Sequence, residues 1–168
     1  LFEDETQGDV WNENFDNPDA SGLNTSAKVA KIYRPSTSHG YTNANFVLDY
    51  RMDLSTRNVF KMLVYFPSGE TGDKKVSLKL QNSLKGADAW KTQAEIIKTF
   101  DTEDTWIEVT FDFTVEADIT HGQDYDASTL TIEKTYYDKI VVQLGGETDW
   151  STGSPVLPPA GTFYFDDI

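Results

Sequence analysis

Two stretches of this chain alternate apolar and polar residues at a period of two, and no segment carries a convincing apolar stripe at 3.6 residues. In KVSLKLQ (75–81), Val76, Leu78 and Leu80 point one way, and Lys75, Ser77, Lys79 and Gln81 the other. In WIEVTFDF (106–113), Ile107, Val109, Phe111 and Phe113 share one face, which leaves Trp106 on the opposite one. A period of two is a strand with unlike faces, one toward a core and one toward water. The nearly continuous apolar run NVFKMLVYF (58–66) reads instead as a central strand covered on both sides. Further strand candidates are AKVAKIY (27–33), NFVLDYRMDL (45–54), AEIIKTF (94–100), KIVVQLG (139–145) and the final TFYFDDI (162–168). Turn chemistry separates them in NPDASG (17–22), PSGETGD (67–73) and GGETDWSTGSP (145–155). The best helical fragment, LKGADAW (84–90), is a turn or two at most. Eight to ten such strands predict an all-β fold, a two-sheet antiparallel β-sandwich of jelly-roll type, with a closed barrel as the alternative.

The 168 residues suit one module spanning 1–168, long enough to bury a core. Aromatic residues make up 13% of the chain, which a disordered acidic polypeptide would not carry. The formal net charge of −14 excludes the clustered positive surface that nucleic acid or an anionic membrane requires. No apolar run reaches the ~18 residues of a spanning helix, so no membrane insertion is expected. Without a cysteine there is no disulfide, no thiolate-bound zinc and no thiol nucleophile. The chain opens on Leu1 and reads as a processed or excised piece of a longer protein, most simply a monomeric unit in a multidomain chain.

The last strand runs three aromatics into two adjacent carboxylates, Asp166 and Asp167. In a sandwich the first and last strands are often neighbours, which would bring Glu3 to the same end. Uncompensated acids there repel and are costly to desolvate. Calcium, a cation that takes six to eight oxygen ligands in irregular geometry, would resolve this, with carbonyls from the 21–28 loop. The spacing alone equally admits a solvated strand end.

An opening FED, the stretch NPDASGLNTSAKVAKIYR (17–34), the strand TWIEVTFDF (105–113) and the closing GTFYFDDI (161–168) occur in an order spanning most of the chain. In these segments the chain resembles β-jelly-roll carbohydrate-binding modules of the family 4, 16 and 22 type. It resembles still more the related domains in polysaccharide-utilisation proteins of Bacteroidetes. The resemblance implies a jelly roll with a structural calcium near the first and last strands. It places Glu3 and Asp166 in that site, with backbone oxygens from the loop between Asn24 and Lys28. It also implies a secreted or cell-surface setting and a polysaccharide partner.

A sugar offers apolar C–H faces, which an aromatic ring stacks on, and hydroxyls for amide, carboxylate and guanidinium groups. Aromatics standing in polar loops are therefore the candidates. Trp90 in SLKGADAWKTQ and Trp150 in GGETDWSTGSP meet that test, each open to a second reading as a lid over the core edge. Tyr41 lies in STSHGYTNAN, where similar modules often carry a contacting aromatic, usually as Trp next to Gly. Trp11 sits near the first strands and suits core or surface. Arg34, Arg51 and Arg57 are candidates for hydroxyl or carboxylate contacts.

Catalytic signatures are lacking. No Glu-x-Asp-x-x-Glu strand motif, Gly-x-Ser-x-Gly elbow, His-Glu-x-x-His or phosphate loop is present. The only histidines are His39 and His121, both in loops, which leaves little for a nucleophilic triad. The expectation is a non-catalytic carbohydrate-binding module. Its first-choice ligand is a neutral β-glucan such as laminarin, because net −14 disfavours a polyanion unless Lys and Arg cluster locally. A calcium-braced spacer or adhesion module without sugar, and a short jelly-roll glycosidase or lyase, are the alternatives.

Overall fold

A computed structural model describes residues 2–4, 11–35, 42–149 and 151–168, with residues 2–4, 11 and 12 described by backbone alone. Eleven strands form two antiparallel sheets. Sheet A holds β1 (Phe2–Asp4), β4 (Asn43–Val47), β10 (Lys139–Leu144), β6 (Lys75–Gln81), β7 (Ala94–Thr99) and β9 (Thr120–His121), in that spatial order. Sheet B holds β2 (Trp11–Asp16), β3 (Lys28–Arg34), β11 (Gly161–Asp166), β5 (Val59–Tyr65) and β8 (Trp106–Asp112).

The pairing is nested. β3 pairs β11, β4 pairs β10, β5 pairs β8 and β6 pairs β7. Eight strands paired first with last in this way, and divided alternately between two sheets, make a jelly roll. β1, β2 and β9 extend the edges. The expected adjacency of the first and last strands is corrected here. β1 belongs to sheet A and pairs β4, whereas β11 lies inside sheet B between β3 and β5. Phe46, the register partner of Phe2, packs edge-on against Phe165 at 6.3 Å.

The inner faces build one core. Val76, Leu78 and Leu80 of β6 meet Val109, Phe111 and Phe113 of the β8 segment, with Ile32, Phe163 and Phe165 from β3 and β11. Sequence alternation thus assigned the inward residues correctly, and Met62, Leu63, Val64 and Tyr65 of β5 are covered on both faces as the apolar run requires. On the outer face of sheet B, Trp106 packs with Val29, Leu63 and Tyr65 in a second small cluster. Its indole nitrogen donates to Asn17 Oδ1 and to the Asp19 carbonyl, both at 3.0 Å, which pins the 17–27 loop over the sheet.

Alternation also turns Arg34 inward. Its neighbours Ala30 and Ile32 line the core, and Arg34 is 1% exposed, its Nε donating to the Leu144 carbonyl at 3.1 Å. Arg34 is therefore corrected from a surface ligand contact to a buried guanidinium. Burial lowers its pKa to about 10, against the pull of Glu147 and Asp73. A guanidinium buried without counter-charge is costly, and the charges of Glu147 and Asp73 offset part of that cost.

Candidate functional site

The outer face of sheet A departs most from the sequence pattern. β6 was expected to show Ser77, Lys79 and Gln81 to water, yet all three are buried. The same face continues into Asn43 and Asn45 on β4, Val141 and Gln143 on β10, and Glu95 on β7, also buried. Register aligns them in rows across the strands: Asn45 opposite Val141, Val141 opposite Lys79, Lys79 opposite Glu95. Buried polar groups are costly unless bonded; Ser77, Lys79, Gln81, Glu95 and Gln143 belong to a connected ladder, whereas Asn43 Oδ1 and both polar side-chain atoms of Asn45 have no partner among the described residues. Gln81 Nε2 donates to Gln93 Oε1 at 3.1 Å, and Gln93 Nε2 to Glu95 Oε2 at 3.2 Å. The Ser77 hydroxyl donates to Glu95 Oε1. Lys79 Nζ lies 3.3 Å from Glu95 Oε1, 2.6 Å from Glu147 Oε1 and 2.8 Å from Gln143 Oε1. Gln143 Nε2 closes the run on the Gly146 carbonyl at 3.1 Å.

One ammonium thus faces two carboxylates. Burial pushes Glu95 above the usual carboxylate range in spite of Lys79, with the neighbouring charge of Glu147 adding to the rise. Burial also works on Glu147, but the charge and hydrogen bond of Lys79 outweigh it and hold that carboxyl low. The two acids are held on the same ammonium, at 3.3 Å and 2.6 Å.

The ladder ends in a cavity at each side. One, of about 200 Å³, is lined by Ser77, Gln143, Glu147, Thr148 and Asp149 under the 145–149 loop. The other, of about 370 Å³, is lined by Gln81, Gly86, Ala87, Ala89 and Trp90. Trp90 stands in a 3-10 segment, Ser83–Thr92, interrupted at Gly86 by a positive φ of 55°. Asn82 caps the segment by accepting the Leu84 N–H at 3.1 Å, and Asp138 accepts both the Ser83 N–H and its hydroxyl. Thr92 Oγ1 returns a bond to the Ala89 carbonyl at 2.7 Å. On this braced turn the indole is 45% exposed, with Lys91 Nζ 5.7 Å from the ring.

Tyr41 and Trp150 lie outside the described residues. Trp11 and Glu3 are described by backbone only, opposite Ile32 in β2 and opposite Asn45 in β1 respectively. Asn24 and Asp166 do meet, as a direct hydrogen bond from Asn24 Nδ2 to Asp166 Oδ2 at 3.1 Å. The Asn24 carbonyl, expected as a metal ligand, accepts Asn17 Nδ2 at 3.3 Å. The Lys28 ammonium pairs with Asp16 at 2.6 Å and holds that carboxyl below its ordinary range. Lys28, Asp166 and Asp167 line a cavity of about 380 Å³ that also takes in Glu13, which the sequence did not single out. Its donors are oxygens without His or Cys, which suits calcium in kind. Among the described residues, however, no three such acids converge closely enough to hold a metal by themselves.

His121 and Tyr125 also cluster. Their rings stack at 3.5 Å, and Glu116 accepts the Tyr125 hydroxyl at 2.5 Å and lies 3.0 Å from His121 Nε2. Burial and that hydrogen bond push the Tyr125 hydroxyl up to about 12.

No family model matches the sequence, and no curated protein matches it. Among solved structures, one concerned with the promiscuous specificity of carbohydrate-binding modules from the β-sandwich superfamily is similar over 99% of this chain and 50% of that one, at 12% identity and a TM-score of 0.41. The chain thus spans about half the length of that solved chain. So distant a likeness carries no functional argument. The jelly roll rests on the strand pairing described above.

Proposed function

We propose that the chain is a non-catalytic carbohydrate-binding module that holds a neutral polysaccharide, with a β-glucan such as laminarin as the first candidate. The observation that carries this reading is Trp90, a half-exposed indole on a braced turn, beside a cavity edged by Gln81 and continuous with the amide and carboxylate ladder. A ring of that kind stacks on a sugar C–H face while amides take hydroxyls. A prearranged ring and network also reduce the ordering cost of binding. On this reading the module is a secreted or cell-surface monomer within a larger protein, and it raises the local concentration of its host on the glycan.

Affinity electrophoresis through laminarin, with barley β-glucan and xylan as comparisons, tests it. Retardation by at least one gel is expected, weakened about tenfold in apparent affinity by Trp90→Ala. Retardation by none, or retardation untouched by the substitution, would overturn the reading in favour of a spacer module.

Calcium belongs to the same proposal. Asp166 and Asp167 at the end of β11, with Glu13 across the same cavity, would hold it, and it would neutralise the acids gathered there. Calcium at ~1 mM is expected to raise the melting temperature beyond magnesium or sodium at equal ionic strength. Equal melting with and without a chelator would remove the metal from the account.

A further inference from the structure

A cavity of about 490 Å³ lies elsewhere, and shares no lining residue with the Trp90 cavity. It opens beside the segment joining β4 to β5. Met52 and Ile140 form a buried apolar floor, with half-buried Leu48 and Phe60 beside them. Its size falls within the ~300–1,000 Å³ of small-molecule sites. Three exposed side chains stand on the rim: Tyr50, 59% exposed, Arg51 and Arg57.

Two of the chain's three arginines therefore border one cavity in a protein of net charge −14. Neither guanidinium is used in a salt bridge among the described residues. Arg51 Nη1 reaches the Thr135 carbonyl at 3.4 Å, which steadies it and leaves its other donors for a ligand. One acid, Asp53, also lines the cavity, but its oxygens are already engaged. They accept the Ser55 N–H at 3.1 Å, the Ser55 hydroxyl at 2.5 Å and the Thr56 hydroxyl at 3.0 Å, and these bonds hold its carboxyl below the ordinary range. The Asp53 carbonyl takes the Arg57 N–H at 3.0 Å, so the turn that presents Arg57 is fixed by Asp53 itself. Main-chain bonds from Leu48 N to the Asp138 carbonyl and from Met52 N to the Tyr137 carbonyl, both 2.8 Å, anchor the base of the segment.

We infer that this cavity is a second ligand site, for an anionic sugar ring whose carboxylate or sulfate meets Arg51 and Arg57 while its apolar face lies against Tyr50. A guanidinium fork matches a planar or tetrahedral oxyanion with paired N–H bonds. An exposed tyrosine supplies the stacking surface at low entropic cost. The overall negative charge of the protein opposes approach of a polyanion, so the site suits a single acidic ring in a mostly neutral or sparsely charged glycan.

Calorimetric titration with trigalacturonate, with its methyl ester and with a monosulfated galactose disaccharide tests this. At least one anionic sugar binds, the ester binds about tenfold or more weakly than the free acid where the acid is the ligand, and Arg51→Ala/Arg57→Ala costs a similar factor. Raised salt weakens wild-type binding without any substitution, which keeps the test open should the double variant fold poorly, as does the milder Arg57→Gln. Binding by neither anionic sugar, equal binding of acid and ester with no sulfated-sugar binding, or indifference to both arginines overturns the proposal. Laminarin retardation is a separate measurement, so the Trp90 reading and this one can fail independently.

Discussion

At the scale of the residue, Lys79 decides the chemistry of the outer face of sheet A. Its ammonium is the positive charge in contact with both Glu95 and Glu147, and the three amides of the ladder, Gln81, Gln93 and Gln143, are neutral. Lys79→Met would leave the buried Glu95 without its counter-charge and the partly buried Glu147 with the charge of Arg34 alone, and breaking such a buried pair typically costs ~3–5 kcal/mol. The pH dependence follows from the opposite shifts of the two acids. Glu147, held low in the folded state, contributes stability that is present above the ordinary glutamate pKa and lost as pH falls through its depressed value. Glu95, pushed up by burial, works the other way, and stability declines as pH rises from the ordinary value through its raised one. Without Lys79 both acids shift upward and the second behaviour dominates. Urea unfolding of Lys79→Met should therefore show its largest deficit near pH 7 and a smaller one near pH 4. A deficit independent of pH would mean that lost packing, not charge, accounts for it. Sequence reading placed Lys79 on a solvated face because a single strand shows only its own alternation. The matching Gln143 and Glu95 lie 64 and 16 residues away, and nothing local marks them as its partners.

At the scale of the element, strands were legible and their cover was not. The inward residues of β6 and β8 follow from period two alone. Arg34 is offered to the surface by its chemistry, whereas in β3 it falls on the same face as Ala30 and Ile32, with the Leu144 carbonyl as acceptor and the charges of Glu147 and Asp73 nearby. The exit from β10 shows how an element can be fixed by one ring. A Cβ built on Gly145 would lie 2.5 Å from the Phe163 ring, and one on Gly161 or Gly72 would come within 2.6 Å or 2.4 Å of it. Gly145 also has φ of +85°, which L side chains rarely adopt. Gly145→Ala combines backbone strain with overpacking against an aromatic that has nowhere to move, an expected loss of ~2–4 kcal/mol. Gly69→Ala is the control: φ is +81° but nothing lies within 4 Å, so strain alone predicts about 1 kcal/mol. Calorimetric melting of the two variants should rank them in that order by several degrees. Equal losses would show that Phe163 yields easily and that only the backbone matters.

At the scale of the whole molecule, the nested pairing puts distant segments side by side, β3 with β11 and β4 with β10, so the fold depends on contacts that form late and over long loops. The charge acts on the same scale. With 28 acids against 14 bases, every Lys and Arg can be paired once and fourteen carboxylates remain. The observed pairs are mostly exposed, as for Lys28 with Asp16 and Lys61 with Glu108, and exposed pairs contribute only ~0–1 kcal/mol each. Salt weakens those pairs, but it also screens the repulsion among the unpaired acids, which extends over the whole surface when the Debye length is ~30 Å and contracts to a few Å in concentrated salt. The long-range repulsion is the larger effect at this charge, and the buried Lys79 contacts are little screened. Sodium chloride raised from ~10 mM to ~0.5 M should therefore lift the melting temperature by about 2–5 °C. A fall over that range would mean that the surface pairs outweigh the excess charge, and the acidic surface would then have to be read as an organised network rather than as uncompensated charge.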